Sequence, residues 1–225
     1  MFLGREYFEE KILKVATALT IMGGIAFSAE GTTAKAELAA KPQQASQAIF
    51  KDVPAGHWSY EAIQTLAEQE IMLGYGNGVF GFGHNVTREQ VAALIYRALD
   101  LDEEFGEDEE LESPYNDIVD DNSTMFPFEV LAVTELGIFT GDEKGNFRPK
   151  DTLTRAEMAQ VLTRAFGLKV QGPAGFKDVP KGHWAENAIN AVGSNGISVG
   201  DGNGNFAPNM KVTREQYAQF LFRAL

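Results

Sequence analysis

A chain of 225 residues with 44% hydrophobic content is long enough for one or two modest cores, and its net charge is −13. That charge argues against a nucleic-acid binder, which needs a basic face. With no cysteine, disulfides, thiolate metal sites and a Cys nucleophile are excluded, and three histidines are too few for a His-based metal cluster.

Residues 1–36 read as an export signal. Lys11 and Lys14 precede the apolar run from Val15 to Phe27, and Ala34-Lys35-Ala36 offers an A-x-A cleavage site. The run falls short of the roughly 20 residues of a membrane-spanning helix, so no span is expected after cleavage. Glu6, Glu9 and Glu10 are unusual in a signal's basic region, and an amphipathic helix of the mature protein is the competing reading. Residues 37–49 read as a polar lead-in.

From Phe50 the chain repeats itself. Repeats over residues 50–101, 115–168 and 176–225 are separated by an acidic linker, 102–114, and a short linker, 169–175. Asp100 to Glu112 holds nine carboxylates and no base, which reads as a solvated stretch more than as a divalent-cation site. The repeats open Phe50-Lys51-Asp52, Tyr115-Asn116-Asp117 and Phe176-Lys177-Asp178, and each ends on a helix that begins Thr-Arg. The interval from Asp to that Arg is 36 residues in the first and third repeats and 38 in the second. Gly74, Gly141 and Gly200 each precede their Arg by 14 positions, and Phe80, Phe147 and Phe206 precede it by eight.

Within a repeat the Asp leads through a turn to a first helix. Ala62, Ile63, Leu66 and Ala67 after Trp58, and Ala188, Ile189 and Val192 after Trp184, trace one apolar stripe. Gly137 and Gly196 suit a left-handed cap at its end. Glu70 holds that place in the first repeat, where the cap is expected to be built differently or strained. A Gly/Asn-rich loop follows. Asp201, Asn203 and Asn205 alternate as at the start of a calcium loop, but Phe206 stands where such a loop needs Gly, and a turn is the better reading. Phe80, Phe147 and Phe206 are expected in the core.

The second helices open Thr87-Arg88-Glu89-Gln90, Thr154-Arg155-Ala156-Glu157 and Thr213-Arg214-Glu215-Gln216. Thr followed three residues later by Gln or Glu is a capping box. The arginine is less easily explained, because a cation in the first turn opposes the helix dipole by a few tenths to about 1 kcal/mol. Two readings are open. Either the guanidinium serves an anionic ligand, or it makes a repeated ion pair between neighbouring repeats. On the first reading it is a surface side chain whose replacement leaves folding largely intact.

The pattern Phe-x-Asp-Val-Pro-x-Gly-His-Trp, then Ala-Ile, then Gly-x-x-x-Gly-x-Phe-x-Pro, then Thr-Arg-x-Glu/Gln resembles the S-layer homology repeat, in three tandem copies over residues 50–225. The resemblance implies a mainly α fold: a pseudo-threefold trimer of helix-loop-helix repeats around a central three-helix bundle, with short outer prong helices. It also implies grooves between repeats that bind secondary cell-wall polysaccharide linked to peptidoglycan, through N-acetylmannosamine bearing a pyruvate ketal. By the same resemblance Arg88, Arg155 and Arg214 would anchor the carboxylate. Asp52, Asp117 and Asp178 would accept from sugar hydroxyls or orient the arginines, and Trp58 and Trp184 would face a sugar ring. Gly74, Gly141 and Gly200 would let backbone amides approach the ligand.

Each of these residues also has a structural reading: Asp as a turn cap, Trp as core packing, His57 and His183 as loop-stabilising donors. The second repeat departs from the pattern. Met125 aligns with the two tryptophans and the Gly-His turn is lost, so a groove built from that part is expected to be weaker. The function that follows is a non-catalytic, exported cell-wall anchor of a bacterium or its S-layer, with no cofactor and no metal. A protein-binding or calcium-dependent surface-assembly module is the alternative. A carboxylate-pair glycosidase is disfavoured, because catalysis needs one asymmetric constellation and these carboxylates come in threes.

Overall fold

A computed structural model describes residues 49–106 and 110–225; the expected export signal and all of the lead-in before Ile49 lie outside the described residues. The described chain is mainly helical. The first helices of the repeats are α1 (Tyr60–Glu68), α3 (Pro127–Glu135) and α5 (Glu186–Ser194), and the Thr-Arg helices are α2 (Arg88–Ala98), α4 (Arg155–Ala165) and α6 (Arg214–Ala224). Among the described residues extended pairing is limited to isolated bridges: Asn85 with Thr213, Thr87 with Thr152, and Thr154 with Lys211.

Capping chemistry starts the Thr-Arg helices where the sequence puts it. Thr87 and Thr154 accept from the amides of Gln90 and Glu157, whose side chains accept in return from the Thr amides. At α6, Gln216 accepts from the Thr213 amide at 3.2 Å, while the Thr213 hydroxyl finds no partner. The end of the first helix is the same in all three repeats. Glu70, Gly137 and Gly196 have φ of 60°, 69° and 74°. Glu70 thus adopts the left-handed cap that glycine makes freely, at a cost of roughly 1 kcal/mol.

The helices pair between repeats. Helix α3 packs on α2, α5 on α4, and α1 on α6, so each first helix covers the Thr-Arg helix of the repeat before it, and the series closes on itself. Backbone hydrogen bonds close the same circle at the helix starts. The Val86 amide donates to Val212, Val212 to Leu153, and Leu153 back to Val86, at 3.0, 3.0 and 3.3 Å. Helix starts leave amides unpaired, and here the next repeat supplies the acceptors. Arg88, Arg155 and Arg214 donate their amides to the carbonyls of Asp151, Met210 and His84.

One continuous core runs through all three repeats. Phe80, Phe147 and Phe206 lie fully buried at its centre, as expected. Each is packed at 5.3 Å by the ring that opens its repeat, Phe50, Tyr115 or Phe176.

Candidate functional site

The three arginines are buried, only 5%, 5% and 3% exposed for Arg88, Arg155 and Arg214. Each reaches into the Gly-rich loop of the following repeat. Nε of Arg88 donates to the Phe147 carbonyl at 2.6 Å, that of Arg155 to Phe206 at 2.5 Å, and that of Arg214 to Phe80 at 2.8 Å. A second arm donates to the Thr140 carbonyl, the Ser198 hydroxyl and the Leu73 carbonyl respectively. The guanidiniums also lie over aromatic rings: Arg88 over Phe147, Arg155 over Phe206 and Arg214 over Phe80, at 4.7–4.9 Å.

These contacts correct the expectation of a surface side chain. They also explain how a cation is held at the dipole's positive end, because neighbour carbonyls surround both the amide and the guanidinium. Burial lowers the pKa of all three, yet an arginine keeps its proton in a protein. The partners are carbonyls, the Ser198 hydroxyl and rings, and among the described residues one carboxylate comes within ion-pairing distance: Glu157 Oε1 lies 3.9 Å from Arg88.

The aspartates hold the loops from within. Asp52 accepts from the amides of Phe80, Gly81 and Phe82, Asp117 from Phe147 and Arg148, and Asp178 from Phe206 and Ala207, all at 2.6–3.0 Å. The residue after each Phe is left-handed, with φ of 85° at Gly81, 61° at Arg148 and 59° at Ala207. That conformation turns successive amides toward one carboxylate. Partial burial on its own would raise the Asp52 carboxyl, but these amides hold it below the ordinary carboxylate range. The conserved offset of Gly74, Gly141 and Gly200 has a packing cause. A Cβ there would meet the ring of Phe50, Tyr115 or Phe176 at 2.5–2.9 Å, and a loop carbonyl besides.

The tryptophans stand clear of the core, Trp58 57% and Trp184 64% exposed. His57 and His183 lie against them with ring centroids 4.8 and 5.6 Å apart. The histidines steady their turns by donating their backbone amides to the carbonyls of Pro54 and Pro180, while Nδ1 of each accepts from the amide of Ser59 or Ala185.

The circular packing brings Trp184 of the third repeat to the cavity lined by Arg88 of the first. A cavity of about 360 Å³ is lined by Arg88 of the first repeat, Thr140, Gly141, Arg148, Glu157 and Arg164 of the second, and Trp184 of the third. By the repeat pattern Arg155 and Trp58 hold the corresponding positions of a second groove. There the Gln219 side chain, in the amide orientation that satisfies both neighbours, donates to the Trp58 carbonyl and accepts from Arg223 Nε. The third position, at Arg214, is filled differently. Tyr75 lies 4.6 Å over the guanidinium and rests on Gly81, and the Trp place is taken by Met125, which is 68% exposed.

Sequence reasoning passed over two sets of residues. Arg97, Arg164 and Arg223 recur nine positions after the Thr-Arg arginine, an offset as regular as those of Gly and Phe. Glu89 and Glu215 follow that arginine directly. The buried Glu89 accepts from the Thr124 hydroxyl, the Met125 amide and Lys150, and Glu215 accepts from the Gly83 amide, so each clasps a neighbouring repeat.

Taken together, these features define a closed, triplicated helical module whose inter-repeat grooves combine guanidiniums with exposed indoles. Residues 49–92, 114–159 and 175–218 match the S-layer homology domain family, and the chain belongs to it. It is similar to an S-layer protein of Bacillus licheniformis, 34% identical over 80% of this chain and 20% of that protein. Similarity to S-layer protein EA1 of Bacillus anthracis is 33% over 80% of this chain and 20% of that one. A protein of Bacillus anthracis named as a cell wall amidase is 32% identical over 79% of this chain and 32% of its own length. The chain thus spans about a fifth of the S-layer relatives. It is a cell-surface, cell-wall module of the exported kind, and a structural unit shared by relatives with different names.

Proposed function

We propose that this module anchors its protein to the wall by binding pyruvylated secondary cell-wall polysaccharide in the two grooves that keep a tryptophan. The observation that carries the reading is the cavity where Arg88 and Arg164 meet the open face of Trp184. An exposed indole suits the apolar face of a sugar ring. A guanidinium suits the ketal carboxylate, with charge assistance and bidentate geometry. Arg88 and Arg155 form the inner wall of their grooves, while the aspartates and glycines act one step back by fixing the loop that shapes it. The groove at Arg214, without a Trp and with Tyr75 over its guanidinium, contributes least.

The test is co-sedimentation with wall sacculi before and after chemical removal of pyruvate. Binding is expected to vanish with the ketal, and also in the double variant Trp58→Ala, Trp184→Ala, whose melting temperature stays near that of the parent. Binding that survives ketal removal but needs calcium or a protein partner would refute the sugar reading. Among the described residues no group of His, Asp and Glu is arranged to hold a metal ion.

A further inference from the structure

The two tryptophan grooves are not electrically equivalent, and the carboxylate that faces the buried arginine in one of them is a single side chain, Glu157. In the Arg88 groove Glu157 spends Oε2 on its capping box, accepting from the Thr154 amide at 2.7 Å. Its Oε1 faces the groove, 3.9 Å from Arg88 and 3.7 Å from Arg148. Arg148 adds a cation there, but Asp142 and Asp151 also flank it, at 3.4 and 3.2 Å. The charge of this groove is therefore met largely from inside the protein. In the Arg155 groove the position of Glu157 is Gln216, that of Arg148 is Ala207 and that of Asp151 is Met210, while Asp142 keeps a counterpart in Asp201. Among the described residues no carboxylate lies within ion-pairing distance of Arg155.

The geometry points to Glu157 as the residue that sets the affinity of the Arg88 groove for an anionic sugar: a built-in counter-ion that leaves the Arg155 groove as the tighter of the two. The inference rests on the proposed function, since it concerns the same sites. A ligand carboxylate brought to Arg88 must share the guanidinium with Oε1 and be repelled by it. At the Arg155 groove it meets a neutral amide. Replacing Glu157 by Gln keeps the helix start intact, because Gln90 and Gln216 already build that start in the other two repeats.

The experiment isolates each groove by removing the exposed Trp of the other. The probe is synthetic N-acetylmannosamine carrying the pyruvate ketal, with the ketal-free sugar as control, followed by calorimetry on the full chain. In a Trp58→Ala background, Glu157→Gln is expected to tighten binding of the ketal roughly three- to tenfold, the scale of one half-buried charge pair. In a Trp184→Ala background, Gln216→Glu is expected to weaken it by a similar factor. Neither change should move the ketal-free sugar, and circular dichroism should show both variants folded. Unchanged or weaker binding by Glu157→Gln, with a clear preference for the ketal retained, overturns the inference and leaves the proposed function standing. No preference for the ketal in either background sinks the proposed function, and the inference with it.

Discussion

Arg155→Ala separates an arginine that serves only a ligand from one that also holds the repeats together. The side chain is 5% exposed, donates to the Phe206 carbonyl and the Ser198 hydroxyl, and lies between the rings of Phe206 and Phe220. Hydrogen bonds from a charged donor are worth roughly 1.5–3 kcal/mol each, and a desolvated cation–ring contact about 1–2 kcal/mol. Releasing the side chain returns about 2 kcal/mol of rotamer entropy. The net loss is therefore about 2–6 kcal/mol, and its midpoint of about 4 kcal/mol is roughly 10 °C in melting temperature for a domain of this size. Arg155→Lys keeps the charge but not the fork that reaches both acceptors, and should lose about half as much. Urea titration and calorimetry read both. If Arg155→Ala unfolds within about 0.5 kcal/mol of the parent, the contacts of the Arg155 side chain contribute nothing to the fold, and the surface placement suggested by the sequence is the better account.

Glu70→Gly should stabilise the chain by up to about 1 kcal/mol, because it relieves the left-handed cap at φ 60°; a lower urea midpoint would contradict this. The depressed carboxyl of Asp52 adds stability that is fully present above its unfolded value of about 3.9 and is lost as pH falls through its lower folded value. Asp52→Asn should therefore flatten the stability profile below about pH 4 and lower the plateau above it, as followed by denaturant midpoints across pH. Deleting residues 169–225 removes α5 from α4 and α6 from α1 together with the acceptors of Arg155, so the remaining two repeats should lose cooperative unfolding. A sharp two-state transition in that fragment would show that the circle need not close.

What could be read from the sequence followed from local chemistry. The capping boxes, the apolar stripes and the buried Phe80, Phe147 and Phe206 all depend on neighbours a few positions away, and the structure has them where the spacing puts them. The fate of Arg88, Arg155 and Arg214 did not depend on near neighbours. Their acceptors lie 43 to 141 positions off, and nothing in a helix-start motif tells whether its guanidinium meets solvent or the next repeat. The electrostatic oddity was a true signal that the charge had a partner. The repeated Asp-to-Phe interval was equally informative once two facts are combined: a left-handed residue follows each Phe, and one carboxylate gathers the amides of the Phe and of that residue. Triplication hid the differences that matter most for binding. Averaging the repeats gives Glu or Gln after Thr-Arg-x, which is one residue for a cap and two for a groove: of Gln90, Glu157 and Gln216, Glu157 alone brings a negative charge, and it faces Arg88. A repeat motif thus reports the fold through what its copies share, and the chemistry of each groove through what they do not.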